Sequence, residues 1–471
     1  MKQLLIILSI YTCLKPLSAA QDSTRQVLRE DVFLEMVRRY HPIARQAGIH
    51  VEKARAEVLA ARDGFDPRLT TDLGQKTFDG TDYYHHVQPE LRIPTWFGIE
   101  LVAGAEYLEG QRTNREETLG ETSYAGIVVP LAKNLLMDKR RAALGTARIF
   151  RSLSELERNE ILNNLLLDAA YAYWEWAFRF QQYRVLQEAV LVNEKRYALV
   201  QTAYRQGDRA ALDTVEAMAQ LQQFQLQRND AYLAWQNARL ELSVFLWKEN
   251  DLPYMLPPLV TPDSSWVAAD IEAGDLPPLD AFMSLVRTSH PVLQQYPLKL
   301  DALRLEQRLK FQELLPKLDF KYNQLGKGYN LVQAKSGALF NNNYQFGLQF
   351  SVPMRLSGGR AAYRKARLKV TETRLEQSLK TRQVENKLQM TYNEILVTVN
   401  QAVLAEQAYK NYHTLQRGEE LRFFNGESSL FLLNSREAKA LEALQKLLKV
   451  KSDFFKKRNT LYWSAGSLTQ Q

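Results

Sequence analysis

The side chains with the widest chemical reach in this 471-residue chain are six histidines and one cysteine, and neither set assembles a reaction centre. His41 and His290 each precede a proline, but no nucleophile or acid recurs beside both, so general acid–base work has no partner there. His85 and His86 are neighbours in a segment that reads as a strand, where adjacent rings point to opposite faces and cannot readily share a metal ion. Gly326-Lys327-Gly328 lacks the rest of a phosphate-binding loop, and no dinucleotide fingerprint or zinc spacing occurs. Trp174-Glu175-Trp176 fits helix packing better than an aromatic binding box. The chain is therefore read as no enzyme, with no catalytic residue, cofactor site or metal site.

Chemistry of another kind, recognition by a partner, is left to two polar turns. These are Arg205, Gly207, Asp208 and Arg209 in one, and Asn425, Gly426, Glu427, Ser428 and Ser429 in the other. The elements that carry them are very long. Residues 146–206 contain no Gly or Pro, and neither do residues 360–417. A helix of that length reaches on the order of 90 Å at about 1.5 Å per residue. Ile161, Leu165, Tyr173 and Trp176, then Leu191, Tyr197, Val200 and Tyr204, recur at three-four spacing, so these helices need neighbours. Each turn glycine suits the left-handed position that ends a helix, and the Asp or Ser that follows can cap the next one. Return helices are expected over residues 211 to about 247 and 430 to about 463.

The chain repeats itself. Phe33, Val37, Arg38, His41, Pro42, Gln46, Pro67 and Leu69 return 249 positions later as Phe282, Val286, Arg287, His290, Pro291, Gln295, Pro316 and Leu318. The offset then falls to 219: Arg141 matches Arg360, Ala147 matches Ala366, Tyr173 matches Tyr392, and Gly207 matches Gly426. A sustained offset means duplication. Each half reads as helix, strands, very long helix, turn and long helix. The first helix, over about residues 31–62, should restart or kink at Pro42. After Pro67 and Pro316 come alternating segments. Tyr344, Phe346, Leu348 and Phe350 oppose Gln345, Gly347, Gln349 and Ser351, while Leu101, Ala103, Ala105 and Tyr107 oppose Glu100, Gly104 and Glu106. A membrane-spanning barrel needs that pattern, and a half-buried soluble sheet shares it. Gly326, Gly328 and Asn341-Asn342-Asn343 form a polar tip suited to an external loop. The expected divisions are a first repeat over 21–252, a proline-rich linker or belt over 253–280, a second repeat over 281–466 and a tail over 467–471.

Residues 1–20 read as a secretory signal peptide: Lys2, an apolar stretch from Leu4 to Leu14, and small residues at Ser18-Ala19-Ala20. Cys13 lies within it, after a poor approach sequence for lipidation. The exported chain is then free of cysteine, so disulfides and thiol chemistry are excluded. No stretch approaches the roughly 18 apolar residues of a spanning helix, which leaves a β-barrel as the route into a membrane. The formal charge of +8 is spread along solvated helix faces, a poor basis for nucleic-acid binding.

In order and repetition, these features resemble the TolC-like outer-membrane efflux proteins. The duplication, the His-Pro pairs, the prolines that open the strands, Val129-Pro130 and Val352-Pro353 before the long helices, and the two turn glycines carry the resemblance over about residues 30–466. It implies a mixed α+β membrane protein whose duplicated halves lend strands to a shared transmembrane β-barrel and long helices to a periplasmic α-helical barrel. It further implies a homotrimer in outer-membrane lipid, serving as the passive exit duct of a tripartite efflux or secretion system. The helical tips would meet a periplasmic adaptor joined to an inner-membrane transporter. Two departures stand out. Where well-known members carry gate aspartates after the second turn glycine, this chain has Leu432 and Ser435, and its acids lie in the first half, at Asp213 and Glu216. Residues 67–130 also far outrun residues 316–353, and Asp79-Gly80 and residues 94–98 could turn an extra hairpin. The competing reading is a periplasmic coiled-coil adaptor or scaffold, whose sheets should lack membrane-length alternation with polar tips in both halves.

Overall fold

The computed structural model describes residues 26–114, 118–272, 276–329 and 343–470. The leader with Cys13 lies outside them, as do Asn341 and Asn342.

After the two-residue strand Val27–Leu28 (β1), the first helix is broken in two, Glu30–Tyr40 (α1) and Pro42–Arg62 (α2). His41 sits between them in extended conformation, because the residue before a proline avoids helical angles. Its Nδ1 accepts the Ile43 N–H at 3.2 Å and so caps α2. Four strands follow: Arg68–Phe78 (β2), Thr81–Pro94 (β3), Glu100–Glu109 (β4) and Gly120–Pro130 (β5). Then come the helices Lys139–Gln206 (α3) and Ala211–Ser243 (α4). A belt of short strands, Trp247–Lys248 (β6), Leu252–Pro253 (β7) and Thr261–Pro262 (β8), joins the halves. The second half repeats the order with Leu279–Ser289 (α5), Pro291–Gln312 (α6), Lys317–Lys327 (β9), Tyr344–Ser351 (β10), Ser357–Phe424 (α7) and Leu430–Ser464 (α8).

Both long helices have 68 residues, about 100 Å each. They exceed the Gly-free windows because helix continues through Gly145, Gly358, Gly359 and Gly418. α4 ends at Ser243, earlier than about residue 247, because Trp247 pairs with Pro253 in the belt. The helices form two hairpins, α3 with α4 and α7 with α8, and α3 also packs on α2, α6 and α8.

Duplicated residues found duplicated cores. Phe33 and Val37 are fully buried beside Tyr173, Trp176, Leu242 and Trp266, and Phe282 and Val286 are buried beside Leu388, Ile395 and Leu461. Each Phe contributes about 1.5–3 kcal/mol by leaving water. The Tyr173 hydroxyl donates to the Leu28 carbonyl at 3.0 Å, and that of Tyr392 to the Pro277 carbonyl at 3.3 Å. Leu28 and Pro277 are themselves 249 positions apart, so the repeat preserves side chain–backbone bonds as well as packing. Within the belt, Lys451 Nζ donates to the carbonyls of Val267 and Ala269 at 2.8 and 2.9 Å, fastening the segment to α8.

The six long strands make one antiparallel sheet in the order β10-β9-β5-β4-β3-β2. The first half carries two hairpins where the second carries one. The first of the two turns is at Asp79-Gly80, where both residues have positive φ.

Candidate functional site

Two regions can act on something outside the chain: the sheet and the hairpin tips. In the sheet, side chains alternate between faces, and the register keeps the same faces aligned across all six strands. One face carries Leu69 and Leu73 opposite Leu91 and Val87, then Leu101 and Ala103 opposite Ile127 and Ala125. It continues through Phe320 and Tyr322, which oppose Leu348 and Phe346. The other face is polar. Arg92 bonds Glu90 at 2.7 Å and Glu100 at 3.3 Å, and Arg140 reaches Glu100 at 2.8 Å. Tyr124 donates to Glu90 at 2.9 Å, and His86 lies 3.0 Å from Glu106. Gly104 makes room for the Tyr124 ring across the ladder, since a Cβ there would come within 2.5 Å of it. His85 falls on the opposite face from His86, near Glu109, as strand geometry requires.

At the other end, α3 and α7 stop at tight turns. Gly207 and Gly426 have φ of 84° and 79°, the left-handed region that glycine enters without a Cβ penalty. Ser429 caps α8, its hydroxyl accepting the Leu432 N–H at 3.3 Å. Asp208 does not cap α4: the N-cap is Ala210, two residues on, and Asp208 is exposed. Asp208 lies two residues ahead of the N-cap, outside the first turn of α4.

The two tips are clamped to each other. Arg209 donates to the Phe423 carbonyl at 3.0 Å, and its guanidinium lies 4.2 Å from that ring's centroid. Ser428 donates to Glu419. Beneath them Val200, Ala217, Phe423, Leu430 and Leu433 form an apolar cluster. The exposed edge between the tips includes Arg205, Gly207, Asp208, Asn425, Gly426 and Glu427. Of the four gate candidates, Asp213 lies 4.0 Å from Arg209, and Glu216 accepts from Asn434 at 3.2 Å. Leu432 is half-buried and Ser435 exposed on α8, so the four do not form one cluster.

Above the tips lies a group that spacing did not reveal. Arg196 on α3 meets Glu437 on α8 at 2.5 Å, and Asn193 donates to the same carboxylate at 3.1 Å. Both charged side chains are only 7 % exposed. Removing one partner would strand a buried charge at about 3–5 kcal/mol. An Arg and a Glu 241 residues apart carry no local signature, so only the approach of α3 to α8 exposes the pair.

Elsewhere the histidines and tryptophans serve the scaffold. Trp174 stacks on Phe455 at 4.2 Å and donates to Glu30 at 2.6 Å, and Trp176 is fully buried. Burial raises the Glu30 pKa despite hydrogen bonds from Asn459 and Trp174. No group of three His, Cys, Asp or Glu among the described residues could hold a metal ion, and no described helix is long and apolar enough to cross a membrane.

A duplicated subunit with a two-faced sheet at one end and clamped helical hairpins at the other is the fold of solved outer-membrane channels. It matches the CmeC outer membrane channel of Campylobacter jejuni at a TM-score of 0.63 and 14 % identity, covering 99 % of this chain and 94 % of that one. It matches the MtrE outer membrane channel of Neisseria gonorrhoeae at 0.65 and 13 %, covering 93 % and 89 %. For the outer membrane protein VceC of Vibrio cholerae the values are 0.64 and 13 %, covering 93 % and 96 %. In sequence, residues 282–467, nearly the whole second repeat, match the family described as outer membrane efflux protein. No curated protein matches significantly. The resemblance to TolC-like efflux proteins is thus borne out by sequence in the second half and by fold along the chain.

Proposed function

We propose that this chain is the outer-membrane exit duct of a tripartite efflux or secretion system in a Gram-negative bacterium, a passive conduit with a large periplasmic part. The observation that carries the reading is the alignment of faces across six strands, apolar on one side and charged on the other. Lipid demands that every backbone group be paired, and a wet lumen tolerates the Arg92, Glu90 and Glu100 cluster. Such a sheet is foreign to a periplasmic coiled-coil adaptor.

Six strands are too few to close a barrel around a duct, so copies must combine. The helices support a homotrimer sharing one β-barrel and one α-helical barrel. Leu212, Leu226, Leu233 and Leu240 recur in multiples of seven along α4, each more than half exposed. Met390, Val397 and Leu404 do the same on α7. Heptad stripes of this kind are coiled-coil seams awaiting a partner helix. Arg205, Gly207, Asp208, Arg209, Asn425, Gly426, Glu427, Ser428 and Ser429 would meet the periplasmic adaptor, which links the duct to an inner-membrane transporter. Asp213, Glu216, Leu432 and Ser435 would belong to the gate region, with the Arg209–Phe423 and Arg196–Glu437 contacts holding the two hairpins together.

The test is the native mass of the protein extracted in mild detergent from isolated outer membranes. A trimer is expected; recovery as a soluble periplasmic protein would instead favour the adaptor or scaffold.

A further inference from the structure

The edge hairpin β2–β3 is an integral part of the sheet. Its strands are as long as the others, at 11 and 14 residues, enough to cross a membrane. Leu69 and Leu73 align with the apolar face, while Arg68, Thr70 and Asp72 align with the charged one. The hairpin's inner strand is hydrogen-bonded to β4, and its outer strand is the end of the sheet. The opposite end is β10, where Phe346, Leu348 and Phe350 are each about 60 % exposed. Among the described residues no strand pairs with the outer side of β2 or of β10, and lipid does not tolerate an open edge.

Direction selects the partner. β2 leaves α2 and runs toward the Asp79-Gly80 turn, away from the helices, whereas β10 runs back toward α7. A second copy's β10 laid beside β2 is thus antiparallel, with matching apolar and polar faces. We propose that β2 of each copy pairs with β10 of the next, so that three copies close an eighteen-stranded barrel with β2–β3 in its wall. This rests on the duct reading above and adds the strand that seals the copies together and the size of the mouth. At a strand spacing of about 4.8 Å and a tilt of about 40°, eighteen strands give a backbone diameter of about 36 Å, whereas twelve strands, with the hairpin outside the wall, give about 24 Å. A wide mouth leaves the helical end as the narrow part of the path.

Cysteine cross-linking tests this, and Cys13 is the only native thiol to replace, as Cys13→Ser. In that background Leu73→Cys on β2 is combined in turn with Phe346→Cys, Leu348→Cys and Phe350→Cys on β10. Facing Cβ atoms of antiparallel strands lie at disulfide distance. Oxidation in outer membranes should convert one pairing to covalent dimers and trimers on non-reducing gels. The control set replaces Leu73→Cys by Ala103→Cys on β4, the strand that becomes the edge if the hairpin lies off the wall. Cross-links from Ala103→Cys but not from Leu73→Cys overturn the proposal while leaving the duct intact. A monomer in detergent with neither cross-link sinks the duct reading and this proposal together. For a trimer with neither cross-link, end-on projection images decide between a ring of about 36 Å and one of about 24 Å.

Discussion

His41 and His290 are the same residue of two repeats, and they show how far single side chains diverge after duplication. His41 caps α2 through its Nδ1 and stacks on Phe245, while His290 Nδ1 is buried without a hydrogen-bond partner. Burial lowers the pKa of both, and that of His290, also facing Lys380, is pushed down to about 4. An unfolded histidine titrates near 6.5, so the unfolded chain binds the extra proton first as pH falls. The neutral ring's contribution is complete above about pH 6.5 and is lost between about 6.5 and 4. The loss is at most about 3 kcal/mol for the site. His290→Gln should flatten the fall of unfolding temperature between pH 6.5 and 4, measured on the detergent-solubilised protein. An unchanged slope would show that the acid sensitivity arises elsewhere.

Among elements, the turns invite the most specific change. A Cβ on Gly207 or Gly426 meets nothing within 4 Å, so substitution there acts through backbone angles alone. Gly426→Val forces a β-branched residue into the left-handed region at a cost of about 1–2 kcal/mol, whereas Asn tolerates it. Gly426→Val should therefore weaken adaptor capture severalfold with the trimer intact, and Gly426→Asn should spare capture. Trimer loss in the Val variant, seen by native mass, would assign the turn a folding role. The elements were largely legible in advance because glycine and proline punctuate them: breaks at Pro42, Pro67, Pro316, Gly207 and Gly426 all fall where expected. Helix run-through at Gly145, Gly358, Gly359 and Gly418 was not legible. There, packing of the flanking helix outweighs the propensity cost of about 1 kcal/mol per glycine.

At the scale of the molecule, the proposed trimer would cover apolar surface that one copy leaves exposed. The stripes on α4 and α7 expose leucines that a monomer would keep in water. Leu233→Glu, 60 % exposed in one copy, should leave the single-chain fold unaffected but reduce the trimer fraction in detergent. Burying an unpaired carboxylate at a helix seam costs several kcal/mol. A full trimer yield would place that stripe outside the subunit contacts.

Constant repeat offsets determined the duplication, and periodicity alone determined the long hairpins and the alternating strands, because helix and strand patterning follow from local rules acting over a few turns or residues. The turn at Asp79-Gly80 was visible for the same reason. Whether its hairpin joined the sheet, through β3 and β4, was decided only by tertiary structure, as was the joining of the two halves through β5 and β9, nearly 200 residues apart. The Arg196–Glu437 pair and the Arg209–Phe423 clamp belong to the same class. Their partners are brought together by the approach of two repeats, and no spacing along one chain encodes a distance between helices that meet only after both have formed.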